Sequence, residues 1–270
     1  MRQIVAHQAS MFFDTHCHLD FPQFDDGRSR LLDDCAAARV DKILIPGVSA
    51  SSWAGLMSLC AKNDSRVQLM AAVGLHPFYL DQHQVVDLVR LSQLLQQRPE
   101  YLVAVGEIGL DYMLPEHGWP MQHHLFRQQL KIAKSEQLPV LLHVRKAHDQ
   151  VLKCLRELDF DCGGVVHAFS GSEQQARRYI ERGFLLGVGG AISWSRATRL
   201  RSMIARLPIE SLVLETDAPD MMPAFAEGEW NSPLNLPAIA ECLAELKKVS
   251  VLQIADQSLR NILKLLYAEK

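Results

Sequence analysis

Residues 14–20 have the sequence Asp14-Thr15-His16-Cys17-His18-Leu19-Asp20 and follow the short apolar run Met11-Phe12-Phe13. Side chains alternate along a β-strand, so the pattern predicts that His16 and His18 face the same way, with Cα atoms ~6.5–7 Å apart, and that Cys17 faces the other side. Two imidazoles at the end of a buried strand can bind one metal ion. A His-x-His pair alone is weak evidence for a metal site, so the remaining ligands must come from elsewhere in the chain.

Composition indicates an ordinary soluble globular protein. Of the 270 residues, 48% are hydrophobic and 22% are charged, and this length fits two small domains or one large α/β domain. The net charge of −3 argues against a protein that binds nucleic acid over its whole surface, but it allows a local basic mouth. No uninterrupted apolar stretch is long enough to span a membrane.

The cysteines and the first residues bear on location and domain organisation. Six cysteines occur without a Cys-x-x-Cys pair, which favours reduced, buried thiols in a cytoplasmic protein. Residues 1–10 are polar and lack the apolar core of a signal peptide. We expect them to be an extension, or a start placed too early, ahead of one domain over residues 11–270.

Short apolar runs alternate with amphipathic helical patterns along the chain. The predicted strands are Met11–Asp14, Lys42–Ile45, Leu69–Val73, Leu102–Val105, Val140–His143, Gly164–His167, Phe184–Val188 and Leu212–Glu215. The predicted helices between them are Arg28–Arg39, Ser52–Lys62, Val85–Arg98, Met121–Glu136, Ala147–Leu158, Ser172–Arg182 and Arg199–Leu207. The repeat of roughly 30 residues is the length of a βα unit.

Eight such units in one undivided chain predict an α/β protein with a (β/α)₈ TIM barrel. Asn235–Lys247 and Val251–Tyr267 are predicted to be additional C-terminal helices. A doubly wound open sheet is the alternative fold. It would require a Gly-x-Gly-x-x-Gly motif after the first strand, where this chain has histidines instead.

In barrels of this kind the chemistry lies at the carboxyl ends of the strands. Five of the eleven histidines follow predicted strands, together with four carboxylates and one arginine. These residues are His16, His18, His76, Glu107, Asp111, His143, Arg145, His167, Glu215 and Asp217. Charged groups are seldom buried unless they are paired or bound to metal, so Glu107 and Asp217 facing an apolar barrel predict a metal there.

The number of candidate ligands exceeds what one ion needs. The set comprises four imidazoles and two carboxylates, namely His16, His18, His143, His167, Glu107 and Asp217. A tetrahedral zinc takes about four ligands. Six ligands therefore suggest two ions, bridged by a carboxylate or a water and ~3.5–4 Å apart.

The same motifs resemble those of the TatD family of metal-dependent deoxyribonucleases, within the wider amidohydrolase-like barrels. The resemblance runs from Phe13 to the last helix and rests on Asp14-Thr15-His16-Cys17-His18, Gly74-Leu75-His76-Pro77, Val105-Gly106-Glu107-Ile108-Gly109-Leu110-Asp111, His143-Val144-Arg145, His167-Ala168-Phe169-Ser170-Gly171 and Glu215-Thr216-Asp217-Ala218-Pro219. It implies that one metal is held by His16, His18 and Asp217, and the other by His143 and His167. Glu107 is implied to bridge them.

The resemblance implies a deoxyribonuclease of the 3′–5′ exonuclease type, in which a water activated by two divalent metals attacks a phosphodiester. The catalytic residues would be Glu107, Asp217, Arg145 and His76. Arg145 would stabilise charge on the phosphoryl oxygens, and Asp217 would accept the proton of the water. His76 either binds a phosphate or leaving oxygen, or is a structural histidine in its turn.

The metal and the substrate are less closely defined. Four nitrogen ligands favour zinc, manganese, iron or nickel over magnesium, whereas members of the family are usually described as magnesium-dependent, so Mg, Mn or Zn is expected. Asp111 and Glu215 are expected to orient ligands. The chain departs from the family at residues 112–117, where a longer acidic or aromatic stretch is usual. We expect these residues to line the substrate cleft.

DNA with short or single-stranded ends is the expected partner, with no membrane and no obligate protein partner, and the chain is expected to be a monomer. Three arginines beside a tryptophan in residues 193–201 could hold backbone phosphates and stack a base.

The alternative function is hydrolysis of a small-molecule ester or amide, for which related barrels often use a carboxylated lysine where this chain has Glu107. A non-enzymatic binder would require filled coordination spheres, which six ligands on two ions do not provide.

Overall fold

The computed structural model describes residues 11–267, so the expected extension at residues 1–10 lies outside the described residues. Eight parallel strands lie side by side in sequence order, with β1 next to β2 and so on to β8. They are β1 (Phe12–Asp14), β2 (Val40–Pro46), β3 (Gln68–Val73), β4 (Leu102–Asp111), β5 (Val140–Arg145), β6 (Gly164–Val166), β7 (Phe184–Val188) and β8 (Leu212–Leu214). The predicted TIM barrel is confirmed, because a doubly wound sheet would not keep the strands in sequence order.

Helices follow the strands and cover the outside of the barrel. They are α1 (Arg28–Ala37), α2 (Trp53–Ala61), α3 (Val85–Gln97), α4 (Trp119–Ser135), α5 (His148–Glu157), α6 (Glu173–Ile180), α7 (Thr198–Arg206), α8 (Leu236–Lys247) and α9 (Val251–Tyr267). Short 3₁₀ helices occupy Pro22–Phe24, Pro77–Gln82, Glu116–Gly118, Gly190–Ser193, Ile209–Ser211 and Pro233–Asn235. The last two helices match the predicted C-terminal pair.

The core has two parts because side chains alternate along each strand. The interior cluster takes Phe13, Leu44, Met70, Leu141 and Val165 from five different strands, and Ile262 of α9 packs with them. The neighbouring strand residues belong instead to the larger cluster between the strands and the helices. The interior is therefore filled with side chains, as in other barrels of this type, and only the mouth is left for chemistry.

At the seam between β8 and β1, backbone hydrogen bonds at the carboxyl ends of the two strands join the last strand to the first and complete the barrel. Thr15 N donates to Leu214 O at 3.0 Å, Asp217 N donates to His16 O at 2.8 Å, and His18 N donates to Ala218 O at 2.8 Å. These bonds fix the segment after β1 against the segment after β8. They bring the first histidine pair, His16 and His18, close to Asp217.

The predicted end of β1 is confirmed and that of β4 was wrong, and both affect the site. β1 ends at Asp14, so the strand alternation expected to orient His16 and His18 does not extend to them, although their rings still meet with centroids 5.1 Å apart. β4 runs on to Asp111, so Glu107 and Asp111 lie within the strand rather than after it. The extension arises because β5 continues to pair beside it, with Gly109 opposite His143.

Two further observations concern cysteines and membranes. Each of the six cysteines is a free thiol, and five of them are buried. Within residues 11–267, none of the helices combines the length and the apolar character needed to cross a membrane.

Candidate metal centre

Glu107 lies at the centre of the barrel mouth and faces histidines with both of its carboxylate oxygens. Its Oε2 atom is 3.1 Å from His16 Nε2 and 3.6 Å from His18 Nε2. Its Oε1 atom is 3.1 Å from His143 Nδ1 and 3.4 Å from His76 Nε2. A carboxylate with one oxygen toward each of two imidazole groups has the arrangement of a bridging ligand.

Asp217 faces the first histidine pair from the other side of the seam. Its Oδ1 atom is 3.7 Å from Nε2 of both His16 and His18, and its Oδ2 atom is 3.4 Å from His167 Nε2. The backbone at Asp217 has φ of 58°, a left-handed conformation that aspartate adopts more readily than most residues. The hydrogen bond from its N–H to His16 O holds this turn in place.

His143 is oriented by Asp111. His143 Nε2 lies 3.1 Å from Asp111 Oδ2, while His143 Nδ1 faces Glu107. When Nε2–H donates a hydrogen bond to Asp111, the metal-binding nitrogen is Nδ1, and orientation by a carboxylate is usual for histidine ligands.

His167 is oriented in the same manner by Glu215. Its Nδ1 atom is 3.0 Å from Glu215 Oε1, and its Nε2 atom faces Asp217. The backbone N–H of Ala168 also donates to that Glu215 oxygen, at 2.7 Å. The carboxylate fits only because residue 187 is glycine, since a Cβ there would lie 2.1 Å from Glu215 Oε2.

His76 differs from the other histidines in its hydrogen bonding. The backbone N–H of Phe78 donates to His76 Nδ1 at 3.1 Å, so a neutral His76 carries its proton on Nε2. That nitrogen points to Glu107. His76 therefore donates a hydrogen bond toward the site from Nε2. A nitrogen that carries a proton cannot also bind a metal ion.

The two central carboxylates are charged despite their burial. Burial acts to raise the pKa of Glu107, but His76, His16 and the hydrogen bond with His143 lower that pKa well below its usual range. Burial also acts to raise the pKa of Asp217, and His167 outweighs it, so the pKa of Asp217 is lowered. Buried anions of this kind need compensation by nearby positive charge.

The histidines fall into two electrostatic classes. Burial lowers the pKa of His16, with a further contribution from His167, and it lowers the pKa of His76 to about 4. Burial opposes protonation of His143 too, but its hydrogen bonds to Asp111 and Glu107 prevail and raise its pKa to about 9. Near pH 7, His16 is therefore in the neutral form that binds metal, and the neutral His76 is the hydrogen-bond donor described above. His143 has to release its Nδ1 proton before that nitrogen can bind a metal ion.

The donor set fits divalent metal ions. Among the described residues, every ion-pair partner of Glu107 and Asp217 within 4.0 Å is a histidine. Donor atoms lie within 4.8 Å of one another in three groups, His16 with His18 and Asp217, His16 with Glu107 and His167, and His76 with Glu107 and His143. The first group is the expected first ligand set, whereas the expected partners His143 and His167 fall into different groups.

Comparison with known proteins identifies the family. The profile of a family described as TatD related DNase matches residues 13–267. The chain is 43% identical over 250 residues to the uncharacterized metal-dependent hydrolase YjjV of Escherichia coli K12, covering 93% of this chain and 95% of that protein. This chain belongs to the TatD family. The expectation of a metal-dependent hydrolase of this family is confirmed.

Two further relatives add to this TatD assignment. The crystal structure of YjjV, a TatD homologue from E. coli K12, superposes with a TM-score of 0.89 at 42% identity, covering 96% of this chain and 98% of that one. A Cronobacter turicensis protein named 3′-5′ ssDNA/RNA exonuclease TatD is 35% identical over 239 residues, which cover 86% of this chain and 89% of that protein.

The TatD site opens into a cavity of about 530 Å³ at the barrel mouth. Arg145 lines this cavity and is exposed, and its charge contributes to lowering the pKa of Asp111. The expectation that residues 112–117 line the cleft was wrong. Tyr112 instead stacks on Trp119, with ring centroids 4.1 Å apart, which holds this loop against the start of α4.

The sequence did not reveal two buried glutamines of α4 that support the TatD site. Gln122 accepts a hydrogen bond from Asp111 N at 2.9 Å and donates to Asp111 O at 3.1 Å. Gln129 makes the same pair of bonds to Leu75, at 2.7 and 3.2 Å, beside His76. Their spacing of seven residues on the apolar face of a helix is the signal that could have indicated them.

Asp14 is a third supporting residue, and it lies in the first motif. It is fully buried and accepts hydrogen bonds from both the backbone N–H and the hydroxyl of Thr216, at 2.9 and 2.5 Å. Its carboxylate therefore ties the end of β1 to the residue before Asp217, across the seam that closes the barrel.

Proposed function

We propose that this chain is a 3′–5′ exonuclease that removes nucleotides from single-stranded DNA ends with the help of two divalent metal ions. The observation that carries the proposal is the position of Glu107, whose two oxygens face separate histidine groups. One ion would be held by His16, His18 and Asp217, the other by His143 and His167, with Glu107 between them.

The residues around this centre have distinct parts in the proposed reaction. When bound, two ions supply positive charge that lowers the pKa of water and stabilises a phosphorane-like transition state. Asp217, charged and at the seam, is placed to accept the proton of the attacking water. His76 donates a hydrogen bond from Nε2 to the phosphoryl or leaving oxygen. Arg145, at the mouth, stabilises charge on the phosphoryl oxygens.

The lining of the cavity supports a nucleotide as substrate. Phe21 and Tyr79 line it beside the ligands, and Phe78 at its rim is 64% exposed. Aromatic rings next to a cationic phosphate site are what a base and its phosphate require. The name of the Cronobacter relative, an exonuclease on single-stranded DNA and RNA, supports the same class of substrate.

The donor set supports a metal of intermediate softness. Four imidazole nitrogens with two carboxylates favour manganese or zinc over magnesium, although magnesium stays within the proposal. We also propose that the chain is a cytoplasmic monomer with one domain over residues 11–270. Six free thiols support a reducing compartment, and the family match over residues 13–267 supports one domain.

The test is degradation of a 5′-labelled single-stranded oligodeoxynucleotide by chelator-treated protein, with Mg²⁺, Mn²⁺ or Zn²⁺ added back one at a time. We expect a ladder of products that shorten from the 3′ end and that a 3′-terminal phosphorothioate linkage blocks. His16→Ala and Glu107→Ala should lose this activity. His124→Ala, at an exposed position on α4, is the matched control.

Different results would contradict different parts of the proposal. Near wild-type activity in Glu107→Ala would exclude the bridging role and with it the two-metal centre. If folded wild-type protein binds two ions but cleaves no nucleic acid, the substrate class is wrong, and hydrolysis of a small-molecule ester or amide becomes the favoured function.

A further inference from the structure

A second groove adjoins the catalytic cavity. It has a volume of about 940 Å³ and lies between the start of α6 and the first turns of α7. Ser170 and Leu200 line both the groove and the catalytic cavity, so the two spaces are neighbours at the barrel mouth. The charged residues of the groove are Glu173, Arg196, Arg199 and Arg206.

The charges of the groove do not cancel. Glu173 is paired with two arginines, Arg177 at 2.8 Å and Arg206 at 2.8 Å. Arg196 and Arg199 are both exposed, and among residues 11–267 the guanidinium of neither makes a hydrogen bond or an ion pair. Two unpaired cations therefore lie in a groove of a protein whose net charge is −3.

The arginines of the 193–201 segment have separate roles. Arg201 donates a hydrogen bond to Ile192 O and so supports the 3₁₀ turn at Gly190–Ser193, and it lines neither the groove nor the catalytic cavity. Arg196 lies over the ring of Trp194, 4.3 Å from its centroid. The expected base stacking on Trp194 is therefore restricted, because one face of the indole is already covered by the guanidinium.

This stacked pair still offers a surface to nucleic acid. Trp194 Nε1 donates to Met222 O at 3.3 Å, which fixes the indole, and the indole in turn orients the guanidinium plane of Arg196. A guanidinium plane held in this way can stack on a base and donate to a phosphate at the same time. Arg199, in the first turn of α7, offers a second guanidinium that can bind a phosphate.

We propose that this arginine groove, formed by Arg196, Arg199 and the start of α6, binds the single-stranded nucleic acid next to the scissile nucleotide. The proposal rests on the exonuclease function proposed above and specifies its substrate as an oligonucleotide rather than a dinucleotide. The scissile nucleotide occupies the catalytic cavity, and the adjoining strand passes Leu200 and Ser170 into the groove. Phosphates bind the two arginines, so binding depends on salt concentration.

The experiment measures kcat/KM of the metal-loaded, full-length enzyme on a long oligodeoxythymidylate and on a thymidine dinucleotide over a range of KCl concentrations. The variant is Arg196→Ala/Arg199→Ala. The matched control is Arg66→Ala/Arg260→Ala, which also removes two exposed arginines, neither of which lines the cavity or the groove.

We expect the preference for the oligonucleotide over the dinucleotide to fall about tenfold at low salt in the groove variant, and the control to keep it. The slope of log kcat/KM against log salt should become shallower by about 1.4, or roughly 0.7 for each phosphate contact on a single strand. An Arg196→Lys/Arg199→Lys variant should keep most of the salt slope, because it keeps both charges.

The proposal is overturned if the groove variant keeps both the length preference and the salt slope of the wild type, or if it loses activity equally on both substrates. Wild-type enzyme that cleaves neither substrate under any metal would overturn the exonuclease function and the groove together. Activity of the wild-type enzyme therefore distinguishes failure of the groove proposal from failure of the exonuclease function.

Discussion

The Nε2 atom of His143 lies 3.1 Å from the Oδ2 atom of Asp111, on the neighbouring strand of the barrel. This contact leaves Nδ1 of His143 directed at Glu107. Asparagine at position 111 keeps the shape but removes the negative charge that holds the Nε2–H tautomer. We expect Asp111→Asn to weaken binding of one metal equivalent by roughly 10- to 100-fold, as for other groups that orient histidine ligands.

Isothermal titration of the chelator-treated protein with Mn²⁺ measures this effect without relying on activity. Asp64→Asn, at an exposed position before β3, removes the same charge from the surface and should titrate like the wild type. If Asp111→Asn keeps both affinities, Asp111 does not orient His143.

His76 is expected to act in the chemical step rather than in metal binding, because its Nδ1 accepts the Phe78 N–H and its Nε2 carries the proton. His76→Phe should lower kcat by roughly 100-fold, which is typical for loss of one donor to developing negative charge, and should leave the metal content unchanged. Metal analysis of the dialysed variant beside steady-state kinetics separates the two roles. Loss of a metal equivalent in His76→Phe would instead make His76 a ligand.

The barrel and most of its central residues could be predicted from the sequence because the signals are local. Apolar runs mark strands, and the polar residues that follow these runs, Glu107 and Asp217 among them, mark the mouth. The length of β4 could not be predicted, because Gly106 and Gly109 within the run look like turn residues, and the strand continues only because residues 108–111 pair with β5.

Other features depend on contacts between distant segments. The approach of His76 to Glu107 depends on the conformation of the turn after β3. The sequence did not decide whether His76 binds substrate there or only supports the turn. The glutamines at 122 and 129 bind backbone groups of Asp111 and Leu75, and the sequence of the helix does not indicate which residues they contact. The hydrogen bond of Arg201 likewise depends on where Ile192 O lies.

Gly109 is required by the close approach of β4 and β5. A Cβ at this position would lie 1.8 Å from His143 O, a backbone atom that cannot move aside without shifting β5. We expect Gly109→Ala to reduce the free energy of unfolding by about 3 kcal/mol or more. Urea denaturation in the presence of chelator measures this change free of any metal contribution.

Gly55 is the matched control, because it lies exposed in α2 with open space where an alanine Cβ would be. Gly55→Ala should raise the free energy of unfolding by about 0.5–1 kcal/mol through better helix propensity. A Gly109→Ala variant as stable as Gly55→Ala would contradict the packing of β4 against β5.

The last prediction concerns His148, which is buried at the start of α5. Its ring centroid is 5.1 Å from that of Phe169, and its Nδ1 is 3.4 Å from Tyr179 Oη. Burial lowers the pKa of His148 to about 4, with a smaller opposing effect from Asp149. The unfolded chain, with an ordinary histidine pKa near 6.5, therefore binds more protons than the folded protein between about pH 4 and 6.5.

The free energy of unfolding should accordingly decrease as the pH falls through this window, and the contribution of His148 should be about 2 kcal/mol between pH 7 and pH 5. His148→Phe and His148→Gln both remove the titrating group, although they differ in packing and polarity. Both variants should lose about 2 kcal/mol less than the wild type over that interval, whatever their stability at pH 7. Urea titrations at the two pH values, in chelator, measure the difference. Parallel losses in the wild type and both variants would show that His148 does not titrate with a lowered pKa in the folded protein.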